Sequence, residues 1–142
     1  MYGTYHGPEG LKNIANRVHS YTVALADAIV AGTGHSLVFE DFFDTIAVKL
    51  EGTTADAVIA AALAQGINLR KVDETTVGIS LDETVCASDL AELIELFTGQ
   101  TPTLDGTGEA PSRIAASDYA RTSSFMQQQV WSMYHSETDM MR

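Results

Sequence analysis

The order of helical and strand patterns predicts an α+β fold, a small antiparallel or mixed sheet with helices on one face. Between Thr45 and Leu50 apolar and polar residues alternate, as they do in a half-buried strand. Apolar residues recur at spacings of three and four from Leu11 to Leu25 and again from Leu90 to Phe97, which is the helical period. A chain of 142 residues suits one domain with its own core.

The first helix is predicted to begin near Pro8, because the missing N–H of proline is tolerated in the first helical turn. It runs for about 24 residues to Gly32 and Gly34, which end it. Its apolar stripe consists of Leu11, Ile14, Val18, Tyr21 and Leu25. All five residues of this stripe, together with Phe125, Val130 and Trp131, are predicted to be partly uncovered in the isolated chain, so that it self-associates or has a mobile tail.

The next elements are two strands, a helix and a hairpin. The strands are predicted at Ser36–Glu40 and Thr45–Leu50, and the helix at Ala55–Gln65, between a cap at Gly52–Thr54 and a stop at Gly66. The hairpin pairs Ile67–Val72 with Thr76–Leu81. A short helix capped by Ser88 and stopped by Gly99 follows.

The last third of the chain has a different composition. Two prolines, two glycines and many small polar residues between Gln100 and Ser112 predict a flexible linker. A helix is predicted near Ser124–Ser132, within a polar tail that carries scattered aromatic residues.

Charge and apolar content exclude several kinds of partner. The net charge of −11 argues against nucleic acid and anionic membranes, because few basic side chains are present to neutralise phosphates. The longest apolar run, Ala57–Ala64, is far shorter than a transmembrane helix. The single cysteine, Cys86, fits a reducing compartment, and no targeting segment is recognisable near Met1.

The histidines and the cysteine give no sign of a reactive or metal-binding centre. The four histidines, His6, His19, His35 and His135, lack the i, i+4 spacing of a helical metal site. His19 is predicted to lie on the helix surface beside the apolar stripe. A thiol nucleophile built from Cys86 and His135 is disfavoured, because nothing basic flanks Cys86 to lower its pKa.

The clustered carboxylates are interpreted as turns. Glu40, Asp41 and Asp44 could do acid–base chemistry, but a solvated turn between two strands accounts for them better. Asp82 and Glu83 fit a turn before a helix N-terminus. The residues by themselves therefore predict no catalytic, cofactor-binding or metal-binding site.

Five segments, in order along the chain, carry a resemblance to a known family. They are Tyr5–Leu11, Phe42–Thr45, Gly66–Arg70, Val77–Thr84 and Tyr134–Arg142. With them the chain resembles the P-protein of the glycine cleavage system, a glycine decarboxylase that uses pyridoxal phosphate and has an aminotransferase-like fold. One departure lies at Gln128 and Gln129, where the family commonly has histidine and proline.

The resemblance implies a non-catalytic piece of a larger enzyme. It places the chain at the end of the first of two similar halves and in the connector to the second, with both ends falling inside the family sequence. The family's Schiff-base lysine lies in the second half and follows a histidine, whereas none of Lys12, Lys49 and Lys71 does. The chain alone is therefore expected to be inactive and to hold no cofactor, whereas the full-length family binds pyridoxal phosphate.

The resemblance also implies a division of the chain and a set of partners. Residues 1–34 would be an interdomain helix, 35–99 the small α+β domain, and 100–142 a linker and connector. The segment formed by Tyr134, His135, Ser136 and Glu137 is the best candidate to face the active site. Partners would be the rest of the P-protein, the lipoyl H-protein and, as a further option, a second copy of the chain.

Two further expectations follow from the family and its alternatives. The location would be cytoplasmic in bacteria and mitochondrial in eukaryotes. The alternative function is a stand-alone, non-catalytic regulatory or small-molecule-binding αβ module, because a layer of this kind can serve as a ligand sensor.

Overall fold

A four-stranded antiparallel sheet lies at the centre of the fold. The computed structural model describes residues 1–104, 114 and 117–141. The strands are β1 (Ser36–Leu37), β2 (Thr45–Lys49), β3 (Arg70–Asp73) and β4 (Thr76–Ser80), in the spatial order β1-β2-β4-β3. The predicted α+β class is confirmed, and of the two sheet types predicted the antiparallel one is present.

The alternating pattern of β2 places its apolar side chains in the core. Ile46 pairs with Ile79 and Val48 with Val77 across β2 and β4, and all four are buried. Side chains of directly opposed residues lie on the same face of a sheet, so these pairs form one apolar layer. This layer shares a single core cluster with buried residues of the three long helices.

Those three helices are α1 (Tyr2–Gly32), α2 (Ala55–Ala64) and α3 (Ala87–Thr98). Leu25 and Ile29 of α1 and Leu90 and Ile94 of α3 are among the most buried residues of the core. We call residues 18–98, which hold the second half of α1, the sheet, α2 and α3, the sheet unit.

The first helix follows the predicted start and stripe only in part. Residues from Tyr2 are already helical, but Gly7 has φ +65° and ψ 179°, and the helix resumes from Pro8. Val18 and Leu25 are buried in the core, which corrects the expectation that they are uncovered. Leu11, Ile14 and Tyr21 are only half-buried, and of these Ile14 and Tyr21 pack against the core cluster.

Two predicted strands are shorter than expected. The segment Ser36–Glu40 gives only the two residues of β1, and Ile67–Val72 gives β3 from Arg70 onward. Ile67 instead packs against the core, and its N–H donates to the carbonyl of Ala62 at 2.9 Å. The N–H of Ile67 therefore bonds to a carbonyl at the end of α2 and not to a neighbouring strand.

The helix caps agree with prediction at α2 but not at α3. Thr54 caps α2, accepting at Oγ1 from the N–H of Ala57 at 3.3 Å. The predicted cap Ser88 is wrong, because α3 begins two residues earlier, with Cys86 at its N-cap. There the Cys86 N–H donates to Oδ2 of Asp89 at 2.8 Å, so Asp89 supplies the capping oxygen.

The tail differs from the predicted helix at Ser124–Ser132. Residues 117–141 contain two single-turn helices, α4 (Val130–Met133) and α5 (Glu137–Met140). Met126 has φ +52°, a left-handed conformation that interrupts a helix. The predicted linker at Gln100–Ser112 lies mostly outside the described residues. Within the described part of the chain, no helix is long and apolar enough to cross a membrane.

Candidate functional site at the tail seam

The tail packs against the start of α1, and this contact brings together the first and the last of the five family-like segments. We call the two strips involved, residues 2–12 and 125–137, the tail seam. Nδ1 of His135 lies 2.9 Å from the carbonyl oxygen of Tyr5, so that a protonated Nδ1 donates a hydrogen bond across 130 residues of sequence. The seam therefore includes the segment Tyr134–Glu137, which was predicted to face an active site.

Two glycines of α1 make the close approach possible. A Cβ on Gly7 would lie 3.0 Å from the carbonyl oxygen of Trp131 and 3.3 Å from Cε1 of His135. A Cβ on Gly3 would lie 3.3 Å from the Trp131 ring. At Gly7 the positive φ adds a second reason, because residues with a Cβ are strained there.

A cavity of about 820 Å³ opens beside the seam, between α1 and the segment before α4. Two cations lie near Phe125, an aromatic residue of its wall. Lys12 Nζ lies 5.7 Å and Arg121 Cζ 5.4 Å from the centroid of the Phe125 ring. Glu9 partly offsets this charge, with Oε1 at 2.8 Å from Lys12 Nζ. The site offers positive charge next to apolar surface, which suits a small carboxylate or another anion.

The four residues predicted to face an active site have different surroundings. His135 contacts Tyr5 and lies beside Gly7. Ser136 caps α5, accepting at Oγ from the N–H of Asp139 at 3.2 Å. All four residues are exposed. Of the four, His135 bonds to the α1 strip of the seam, through the carbonyl oxygen of Tyr5.

The start of α1 is also tied to the loop before α3. Arg17 Nη2 donates to the carbonyl oxygen of Glu83 at 2.8 Å. Partial desolvation, followed by a hydrogen bond to the Glu83 side chain, raises the pKa of Tyr2 above its usual value. The same loop contains Asp82, whose pKa is lowered because its carboxylate accepts from the side chain and backbone of Thr84. Asp82 thus forms the predicted turn.

The three lysines lie at the surface, and two of them are paired with carboxylates. Imine formation requires an unprotonated amine, usually in a desolvated site. Lys71 is bonded to Asp56 at 2.8 Å and paired with Glu74 at 3.1 Å, and these contacts, the hydrogen bond to Asp56 first, raise its pKa. Lys12 is paired with Glu9, and Lys49 Nζ donates to Thr75 Oγ1 at 2.6 Å. All three side chains are surface cations.

His19 contradicts its predicted position on the helix surface. It is only 2% exposed, its ring is stacked on Phe43 with centroids 5.7 Å apart, and Nδ1 lies 2.9 Å from the Phe43 carbonyl oxygen. The sequence contained a signal for this burial. His19, Thr22, Ala26 and Ile29 follow a second 3–4–3 spacing, and all four are buried.

The remaining candidates occupy positions close to those predicted. Glu40 and Asp41 are exposed in the loop between β1 and β2, as a solvated turn requires. Cys86 is exposed, with Sγ 2.9 Å from Ser88 Oγ. Among the described residues, no three His, Cys, Asp or Glu side chains converge in a way that could hold a metal ion.

Comparison with known proteins identifies the family. The family model described as "Glycine cleavage system P-protein" matches residues 1–97. The whole chain is 43% identical to a glycine dehydrogenase (decarboxylating) of Nostoc punctiforme and 41% identical to that of Chromobacterium violaceum. It is 40% identical to the mitochondrial enzyme of Mus musculus.

These relatives are much longer than the chain, which spans about 15% of the length of the bacterial relatives and 14% of the mouse relative. They include bacterial enzymes and a mitochondrial one. The match of the family model covers more than half of the 142 residues, and identity at this level extends over the full chain. The chain belongs to the glycine cleavage system P-protein family.

Proposed function

We propose that the chain is a non-catalytic structural part of a glycine-decarboxylating P-protein. In that protein it fixes the segment Tyr134–Glu137 relative to the sheet unit. The hydrogen bond between His135 and Tyr5 carries this proposal, because it joins two family-like segments at the ends of the chain. The close fit of Trp131 over Gly3 and Gly7 supports it, since the seam holds the tail at a defined position.

Each region has a part in the larger enzyme. The sheet unit, with its antiparallel sheet and core helices, acts as the small domain of an aminotransferase-like unit. The first half of α1 acts as the interdomain helix, and the tail as the connector that leads toward the second half. The half-buried residues Leu11 of α1 and Phe125 of the tail are surfaces for the remaining parts of the P-protein.

Pyridoxal phosphate supplies the electron sink for glycine decarboxylation, and we place its attachment outside this chain. The pairing of Lys71 with Asp56 and Glu74 supports this assignment, because these contacts, the hydrogen bond to Asp56 first, raise the pKa of its amine. The purified chain, mixed with pyridoxal phosphate and reduced with borohydride, should show no stoichiometric label on one lysine. Stable labelling of a single lysine would contradict the assignment.

A chimera tests the structural role directly. The segment of the Nostoc punctiforme relative that aligns with this chain is replaced by the chain, and exchange of the glycine carboxyl group with CO₂ is measured with lipoyl H-protein present. We expect exchange to be retained, and to be lost or strongly reduced when Gly7→Val disrupts the seam. A folded chimera whose exchange is unaffected by Gly7→Val would refute a role for the seam, and exchange by the isolated chain would refute a non-catalytic role.

A further inference from the structure

A second cavity lies beside the loop between β1 and β2, and its walls share no residue with the tail seam. Its volume is about 280 Å³, and its walls include His19, Glu40, Asp41, Phe42, Phe43 and Tyr119. Histidine, carboxylates and aromatic rings thus border one small space, in a part of the molecule to which the proposed structural role gives no task.

His19 brings an unused hydrogen-bond acceptor to this cavity. Its Nδ1 is committed to the carbonyl oxygen of Phe43 at 2.9 Å, and a carbonyl can only accept, so Nδ1 carries the proton. In the neutral ring Nε2 then presents a bare lone pair. Nε2 is buried and has no hydrogen-bond partner among the residues that the structure describes. Buried polar atoms in folded proteins are nearly always paired, so an unpaired one indicates a missing donor.

The other walls indicate which donor would fit. Glu40 and Asp41 contribute two carboxylates, which favour a positive charge. The aromatic rings of Phe42, Phe43 and Tyr119 add faces that attract cations. A metal ion fits less well, since the described residues do not bring three metal-binding side chains together. An organic cation with N–H groups can donate to Nε2 of His19, pair with the two carboxylates and lie against the aromatic rings.

We propose that this cavity binds a primary ammonium group, which donates one N–H to Nε2 of His19 and others to the carboxylates of Glu40 and Asp41. Nε2 is buried in the unliganded chain, so binding requires a side-chain rotation in the cavity wall that exposes it, a change that is common at binding sites.

A titration of the 142-residue chain with n-butylammonium chloride tests the proposal. With ¹⁵N-labelled histidine, long-range ¹H–¹⁵N spectra resolve the two ring nitrogens, and sodium chloride at matched ionic strength is the reference. We expect a saturable shift at Nε2 of His19 and little change at its Nδ1. Tetramethylammonium, which has no N–H, should not reproduce the Nε2 shift. Absence of a saturable shift, or an equal shift with tetramethylammonium, overturns the proposal.

Paired variants locate the charge requirement. The double variant Glu40→Gln/Asp41→Asn should raise the dissociation constant for n-butylammonium by about tenfold or more, because charge-assisted hydrogen bonds are lost. Asp44→Asn is the matched control, since Asp44 lies on the same loop but outside the cavity wall, and it should leave binding unchanged. Equal binding by both variants and the unmodified chain overturns the proposal.

A lysine side chain and a free amine share this chemistry, and a third arm distinguishes them. Nα-acetyl-lysine methylamide presents the same ammonium group on a peptide backbone. Tighter binding than n-butylammonium supports the proposal and identifies a lysine of a protein segment as the occupant. Binding equal to or weaker than that of n-butylammonium, still saturable at Nε2, supports the proposal and identifies a free amine.

Discussion

The sheet unit and the tail seam are held together by different amounts of apolar burial. In the sheet unit, side chains such as Leu25, Val48 and Leu90 are fully buried. In the described part of the tail, residues 117–141, no residue is buried. Burying one large apolar side chain stabilises a fold by about 1.5–3 kcal/mol, so the two regions differ greatly in their own stability. We infer that the sheet unit folds by itself, whereas the seam depends on a few specific contacts.

The largest expected effect is the loss of a core side chain. Leu25→Ala should lower the free energy of unfolding by about 2–5 kcal/mol, because it leaves a cavity in the shared core. Leu63→Ala on α2 is the control, since Leu63 is 55% exposed and should cost under about 0.5 kcal/mol. Urea unfolding followed by circular dichroism measures both. Similar losses in the two variants would show that the core is not where stability is concentrated.

A smaller and more local effect is expected in the seam. Gly7→Ala forces a residue with a Cβ into φ +65° and against Trp131, and should weaken tail docking by about 1–3 kcal/mol. Hydrogen exchange of residues 130–140 and Trp131 fluorescence report the change.

The control for this variant has the same backbone strain without the contact. Gly66 has φ +77° and open space around its Cβ position, so Gly66→Ala should destabilise the sheet unit and leave Trp131 fluorescence unchanged. If both variants altered exchange in the tail, the seam and the sheet unit would be one cooperative structure.

Acid should weaken the sheet unit through three carboxylates whose pKa values are lowered. Asp73 and Asp82 accept from Thr75 and Thr84 respectively, and Asp89 accepts from the Cys86 N–H. A lowered folded-state pKa stabilises the fold above the unfolded value of 3.8, and that contribution is lost as pH falls through the folded value. The urea midpoint should therefore fall between about pH 5 and pH 2.

The triple variant Asp73→Asn/Asp82→Asn/Asp89→Asn should flatten this dependence. The comparison variant is Glu92→Gln, which neutralises one exposed carboxylate on α3 outside these three sites. An unchanged slope in the triple variant would mean that other groups cause the acid sensitivity.

The smallest expected effect concerns the aromatic ring that faces two cations. Phe125→Leu keeps an apolar side chain but removes the ring opposite Lys12 and Arg121, and should weaken tail docking by about 0.5–1 kcal/mol. Hydrogen exchange at residues 130–134 measures it. Phe39→Leu, at a ring that is 67% exposed in the β1–β2 loop, is the control. Identical exchange in the two variants would assign no role to the cations.

The sequence predicted the sheet unit well because its strands and helices follow local residue patterns. Ile46, Val48 and Leu50 alternate, and Gly66 and Gly99 end helices in left-handed conformations, as residues without a Cβ allow. The cap at α3 was missed because the capping oxygen comes from Asp89, three residues inside the helix. Ser88, the residue type usually found at a cap, lies within the first turn of that helix.

The seam depends on contacts that a local pattern does not record. The predicted helix at Ser124–Ser132 is interrupted at Met126, where the chain packs against Gly3. A single helical turn contributes little stability of its own, so such contacts decide its backbone conformation. His19 was assigned to the surface because the expected stripe passed beside it, whereas the buried face of α1 is wider than that stripe.

The two outer strands of the sheet have a consequence for aggregation. β1 has only two residues, whereas the four residues of β3, among them Arg70 and Lys71, are exposed and have a register shift between Lys71 and Asp73. Short, charged and irregular edges resist the addition of a further strand from another molecule. Copies of this chain at high concentration should therefore not join edge to edge into fibrils, and any self-association should occur through the half-buried residues of the seam.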